Sequence, residues 1–181
     1  AAFNVADEMG FYLQVELPAW SKAVGQEDVD NFLRSEYDRI VRSYGNHPSF
    51  CMLSCGNEFD SGYEFLNGLL SYMKASDPRR IYTNSTYSMG AGHKGRPEPE
   101  DQYMIASRTV RGQIRGQDYL GSRTPDFRSD YSEYAAGVGI PLISHEIGQY
   151  SVYPDLRGID KYTGTLDPLN LKGIRAELTE K

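Results

Sequence analysis

Cysteine, histidine and tryptophan are all scarce in this chain, and each scarcity closes off a class of function. Its 181 residues include two cysteines, three histidines and one tryptophan. Cys51 and Cys55 fall on one predicted strand, which at roughly 3.3 Å per residue sets them about 13 Å apart, beyond disulfide reach. They read as small buried apolar side chains rather than a redox or metal pair. His47, His93 and His145 have no metal-ligand spacing, so no metal and no cofactor is expected. Long apolar runs are missing as well: nothing approaches the roughly 18 residues of a membrane span. No charged, then apolar, then small-residue leader opens the chain. It starts inside a helical pattern, which implies a natural beginning further upstream. No block of Lys and Arg offsets the net charge of -6 and the pI near 5.1, which argues against a nucleic-acid or membrane partner. Arg108 to Arg115 is interrupted by Thr, Val, Gly and Gln and reads as a solvated or substrate-facing loop. No glycine-rich phosphate loop follows a strand, which removes support for a phosphatase or nucleotide binder.

What is present is an alternation of helices and strands in a composition suited to one ordinary core, 39% hydrophobic and 24% charged. Ala2, Phe3, Ala6 and Met9 recur at helical spacing and stop at Gly10. Phe11 to Pro18 then reads as a strand with Glu16 near its end, either a polar-layer residue or part of a site. Val29, Phe32, Leu33, Tyr37, Ile40, Val41 and Tyr44 mark an amphipathic helix over residues 28 to 44. The stretch from Asn46 to Glu58 is a turn followed by an unalternating apolar run, the pattern of a parallel strand covered on both faces. Residues 62 to 74 supply another helix, Asp77-Pro78 a break, and Arg80 to Asn84 a short strand. Such alternation predicts an α/β fold, either doubly wound or a (β/α) barrel. Residues 85 to 125 are rich in Gly, Ser, Arg and Pro, with Gln102 to Ala106 as a minor strand. A loop of this length after a strand's C-terminal end is where a barrel carries its active site. A helix is predicted over Asp126 to Ala136. Ile140 to Gly148 is a second apolar run, Tyr150 to Gly164 is loop-like, and Leu169 to Leu178 is a last weak helix.

Two apolar strands therefore end in glutamates, Glu58 and Glu146. On one rim of a barrel they would form an opposed carboxyl pair, the machinery of glycosidic cleavage, with burial and mutual repulsion separating their acidities. The spacing alone leaves open that each is a helix-capping or salt-bridged residue.

The segment Asn46-His47-Pro48-Ser49 through Gly56-Asn57-Glu58 closely resembles the acid/base signature of glycoside hydrolase family 2, the beta-galactosidase and beta-glucuronidase group. Pro141 to Gly148 resembles the nucleophile strand of that family, with its Ser-any-Glu-any-Gly ending, and Asp7 to Pro18 is similar to its third-strand segment. The resemblance implies that Glu58 is the general acid/base on the fourth barrel strand, Glu146 the nucleophile on the seventh, and Asn57 a hydrogen-bond partner of the sugar 2-hydroxyl, in a retaining double displacement. Glu16, Trp20, Tyr150 and Tyr153 occupy rim positions where sugar contacts belong. His145 is expected to point away from the sugar because strand side chains alternate, and His47 to pack in its turn.

A complete barrel takes about 250 residues. By the resemblance, residues 1–181 span roughly the third to the seventh strands of an incomplete (β/α)8 TIM barrel, one partial catalytic domain of a larger multidomain hydrolase. Three expectations follow: self-association through exposed barrel edges, weak or absent activity in isolation, and a periplasmic or secreted parent. The partner is a carbohydrate. The competing reading is a non-catalytic carbohydrate-binding or scaffold domain derived from such a barrel. Arg108, Arg111 and Arg115 would suit an acidic sugar.

Overall fold

The structure, a computed structural model, describes residues 1–114, 128, 130–147 and 154–180. The chain divides into two units, Ala1–Gly148 and Gln149–Lys181. In the first, helix α1 (Ala2–Met9) ends at Gly10, which adopts the left-handed conformation (φ 68) that glycine reaches at no steric cost. Strand β1 (Leu13–Glu16), helix α2 (Glu27–Tyr44), strand β2 (Phe50–Ser54), helix α3 (Tyr63–Ser76) and strand β3 (Ile81–Thr83) follow. β2 pairs in parallel with both β1 and β3. Acidic Glu27, Asp28 and Asp30 occupy the first turn of α2, complementing its dipole. α3 buries Leu66, Leu69, Leu70 and Met73 completely, one stripe at spacings of three and four. It stops at Asp77 (φ -144, ψ 87), where the following Pro78 disfavours helical backbone.

This stripe, Leu33 and Tyr37 of α2, and Leu53 and Cys55 at the end of β2 make the main core. Its polar groups are paired: the Tyr37 hydroxyl donates to the Met73 carbonyl (3.1 Å) and the Tyr82 hydroxyl to the Asp77 carbonyl (2.7 Å). Burial pushes both phenols upward. Below β2, buried Arg80 pairs with Asp77 and lies 4.1 Å over the Phe50 ring. At the same end Asp7 accepts from the Ser49 amide (2.9 Å) and contacts His47 Nδ1 (2.6 Å), and these bonds hold its carboxyl below the usual range. His47 thus packs in its turn as expected, stacked on Phe3.

Strand β4 (Met104–Ala106) pairs in parallel with β7 (Leu142–Ser144). Isolated parallel bridges connect Trp20 with Asn57, Asn57 with Thr86, and Thr86 with Ile105, so β4 continues from the C-terminal end of the first sheet. A second core of Tyr87, Met104, Ala106 and Ile114 lies beneath this part, covered by Val138, Ile140 and Leu142. The fold is mixed α/β with small sheets, and the described residues form no closed barrel. Among them no helix is long and apolar enough to cross a membrane.

Several expectations need correction. Helix α1 forms as its spacing predicts, with Ala6 buried and Phe3 packed against the main core, but Met9 of that stripe is exposed. Cys51 is half-buried, while Cys55 is enclosed and its thiol pushed up by burial. The basic stretch contains an antiparallel hairpin, β5 (Arg108–Thr109) and β6 (Gly112–Gln113), not a plain loop. Of the helix predicted over Asp126 to Ala136, residues 126, 127 and 129 lie outside the described residues, and among the described ones helix α4 covers Ser132–Ala135, with Asp130 accepting from the Ser132 amide (2.9 Å) just before it and Gly137 turning left-handed (φ 85) beyond it. β7 is less covered than its apolar sequence suggests, with Ile143 exposed, since β4 is its one partner among the described strands.

The second unit holds a short 3-10 helix (Leu156–Lys161), where a loop was expected, and helix α5 (Leu169–Glu180). Asp155 caps the first, accepting from the Arg157 amide (3.1 Å).

Candidate functional site

The C-terminal ends of β1, β2 and β7 face one cavity of about 400 Å³. Its polar wall is Tyr12, Gln14 and Glu16 from β1 and the chain before it, Asn57 and Thr86 from the bridged turns, and Ser144, His145 and Glu146 from the end of β7. Met52, Ile105 and Ile143 supply apolar surface.

Asn57 and Glu58 are aimed by the turn that leaves β2. Gly56 there has φ 150, and a Cβ on it would lie 2.5 Å from the Ala19 carbonyl and 2.6 Å from the Phe59 ring. Only glycine fits between those groups. Thr86 fastens the far side: its amide donates to the Gly56 carbonyl (2.8 Å) and its carbonyl accepts from the Glu58 amide (3.2 Å). Its hydroxyl reaches Glu16 and, at 3.1 Å, Ser54. Trp20 Nε1 donates to Glu58 Oε2 at 3.2 Å. The Asn57 side-chain oxygen is buried and has no hydrogen-bond partner among the described residues, an unusual state for an amide carbonyl.

Glu146 follows β7 in the same way. Glu58 and Glu146 both adopt left-handed backbone, φ 49 and φ 47, a conformation shared among described non-glycine residues only by Ser21 and Tyr87. Strain of this kind gathers at functional sites. His145 is buried, packs against Tyr87, and sets Nε2 3.6 Å from Glu146 Oε1. One ligand atom each of Glu58, His145 and Glu146 lie within 4.8 Å of one another. The expectation that His145 points away fails because strand alternation ends at Ser144: His145 and Glu146 already belong to a turn.

The structural neighbours are bacterial beta-glycosidases. Bacteroides uniformis beta-glucuronidase 3 matches 79% of this chain with a TM-score of 0.52 at 18% identity, and shows a shared fold. Parabacteroides merdae beta-glucuronidase matches 58% at TM-score 0.43 and 17% identity. A Bacteroides fragilis protein assigned as a beta-galactosidase matches 59% at TM-score 0.47 and 23% identity. The chain spans 18%, 13% and 16% of the three neighbours' own lengths, in the order named. No family model matches the sequence, and no curated protein matches it.

Of the residues singled out from sequence, Glu16, Asn57 and Glu146 line the cavity, and Glu58 and Trp20 meet at its edge. Tyr150, Tyr153 and Arg115 lie outside the described residues. Arg108 and Arg111 belong to the β5–β6 hairpin and do not line the cavity. Sequence reasoning missed Thr86, which joins strand ends through contacts far apart in the chain and carries no local signal.

Proposed function

We propose that this chain is part of the catalytic barrel of a retaining beta-glycosidase of the beta-galactosidase type. The observation that supports this most is the approach of Glu58 and Glu146, one oxygen of each within 4.8 Å, at the rim of a polar cavity. Retaining enzymes hold their carboxyl groups about 5 to 5.5 Å apart, whereas inverting ones leave about 6.5 to 9.5 Å for a water. In this reading Glu146 attacks the anomeric carbon as the bond to the leaving oxygen breaks and Glu58 gives that oxygen its proton. Glu58 then takes a proton from water, the resulting hydroxide attacks the anomeric carbon, and Glu146 departs as a free carboxylate. Asn57 fits the 2-hydroxyl: its side-chain oxygen, without a partner among the described residues, can accept a hydrogen bond from that hydroxyl.

The parallel pairings β1–β2–β3 and β4–β7, joined by the isolated parallel bridge of Thr86 with Ile105, support an incomplete (β/α)8 barrel covering the third to seventh strands. The chain is then one piece of a larger multidomain hydrolase, and turnover by the piece alone is weak.

A 2-deoxy-2-fluoro-beta-galactosyl fluoride traps the glycosyl-enzyme, so peptide mapping after prolonged incubation is expected to place the added mass on Glu146. An adduct on another residue, or sugar binding with no adduct at all, would sink the proposal, the second outcome favouring a scaffold.

The same reading leaves β1 as an open edge beside an apolar groove lined by Val5, Met9, Phe11 and Leu13. A second copy of the chain is the occupant proposed for it, since unpaired edges flanked by apolar surface self-associate. Sedimentation velocity is expected to show mass rising with concentration. A constant monomer mass into the tens of micromolar range, on the order of an ordinary biochemical concentration, would count against it.

A further inference from the structure

Trp20 is the one tryptophan of the chain, and its indole edge meets the carboxylate that the proposed reaction uses as acid and base. We propose that Trp20 is the positioning residue of Glu58, its Nε1–H fixing which carboxylate oxygen handles the proton. The chemistry of this role rests on the glycosidase reading, whereas the contact itself does not.

The indole is delivered by main chain. The Ala19 carbonyl accepts from the Asn57 amide (2.9 Å) and the Ser21 amide donates to the Asn57 carbonyl (3.1 Å), so residue 20 runs in register with Asn57. Ser21 then turns left-handed (φ 57), its carbonyl accepts from the Asp60 amide (3.3 Å), and the Ala23 amide donates to the Trp20 carbonyl (3.2 Å). Lys22 and Asp60 pair at 3.7 Å along the same segment. Residues 19–23 are thus laid beside 57–60 by backbone bonds, and the 3.2 Å bond from Trp20 Nε1 to Glu58 Oε2 follows from that register. Thr86 holds Glu58 at its amide and Trp20 holds it at its carboxylate, so backbone and side chain are fixed from two separate stretches of sequence.

An indole nitrogen donates and never accepts. In a carboxylic acid the doubly bonded oxygen is the stronger acceptor, so an N–H on Oε2 favours the form that carries its proton on Oε1. Oε1 is then the atom that protonates the leaving oxygen and, once the leaving group has gone, takes a proton from water. Both transfers start from one orientation of the carboxyl group, which spares the reaction the cost of finding it. Trp20 is 63% exposed and fills no core, so replacing it tests this contact rather than packing.

A single tryptophan makes the contact directly visible. The proton–nitrogen NMR spectrum of the labelled chain is expected to hold one indole cross-peak, and Glu58→Ala should move it and speed its exchange with solvent. An unmoved peak with unchanged exchange would overturn the contact. Two variants test the role: Trp20→Phe keeps a ring and loses the N–H, and Trp20→Leu loses both. The probe is a dinitrophenyl 2-deoxy-2-fluoro-beta-galactoside, whose leaving group departs without a proton. Trp20→Phe is expected to be trapped on Glu146 within about twofold of the parent's rate but to release the sugar to water about tenfold more slowly, the scale of one hydrogen bond to a charged group. Release at the parent's rate in Trp20→Phe, with an unchanged thermal melt, would overturn the positioning role. So would slower trapping in Trp20→Leu alone with release unchanged in both, the mark of a stacking platform. If the parent chain forms no adduct, the glycosidase reading and the proton-handling role fall together, and the indole peak still decides the contact.

Discussion

Glu146→Gln is expected to lower kcat/KM for an aryl beta-glycoside by about 10⁴-fold or more, because a covalent route loses its first bond-forming step when the nucleophile is neutralised. The loss should be similar for good and poor leaving groups. Glu58→Gln should behave differently. Its cost, about 10² to 10⁴-fold, belongs to proton transfer, so it should be large for a sugar leaving group and small for dinitrophenolate, which departs without a proton. The two variants also separate on addition of azide. With Glu58→Ala, azide intercepts the glycosyl-enzyme and yields the beta-azide. With Glu146→Ala, it enters from the vacated face and yields the alpha-azide. Leaving-group series measured on both variants, with product stereochemistry by proton NMR, check this. Equal dependence on leaving group, or one anomer from both, would remove the assignment of roles.

The second large effect is structural. Gly56→Ala is expected to destabilise the fold by more than about 3 kcal/mol and to disturb the cavity out of proportion to one methyl group. Two costs combine. A φ of 150 strains an L residue at this position, and the added carbon would stand 2.5 Å from the Ala19 carbonyl, which belongs to backbone and cannot simply rotate away. Ala19 also accepts the Asn57 amide at 2.9 Å, so relief of the clash moves the residue that carries the orphan oxygen. Urea unfolding should show a lowered midpoint. An unchanged midpoint would mean that the turn has another conformation available, and that the crowding around Gly56 does not fix Glu58.

The two glutamates were legible in the sequence because each follows a dense apolar run bounded by turn residues, a signal that needs no knowledge of distant contacts. Helix α3 was legible for the same reason, its buried stripe being strictly periodic. What escaped was set by short or long-range features. The β5–β6 strands are two residues each and lie among arginines, too brief for alternation to register, and so Arg108 and Arg111 read as a sugar-facing loop. His145 was misdirected because a period-2 rule was carried past Ser144 into a turn. At its C-terminal end the helix predicted to Ala136 stops at Ala135, because Ala136 leaves helical backbone and Gly137 turns left-handed, a signal that aromatic spacing does not carry. Thr86 could not be found at all: its role exists only once Glu16, Gly56 and Ile105 have been brought to it.

The two carboxylates belong to strand ends that rest on different cores. Glu58 follows β2, which packs with Leu53 and Cys55 into the first, and Glu146 follows β7, whose Leu142 packs on the second. Between them, at the site's level, the backbone is bridged at Thr86 and Ile105. Anything that engages both carboxylates therefore acts as a removable tie between the two halves of the first unit. Its occupancy enters stability by mass action, adding about 2.7 kcal/mol when the ligand is a hundredfold above its dissociation constant. Occupancy and cohesion are one equilibrium here, so melting temperature becomes a binding assay that needs no turnover.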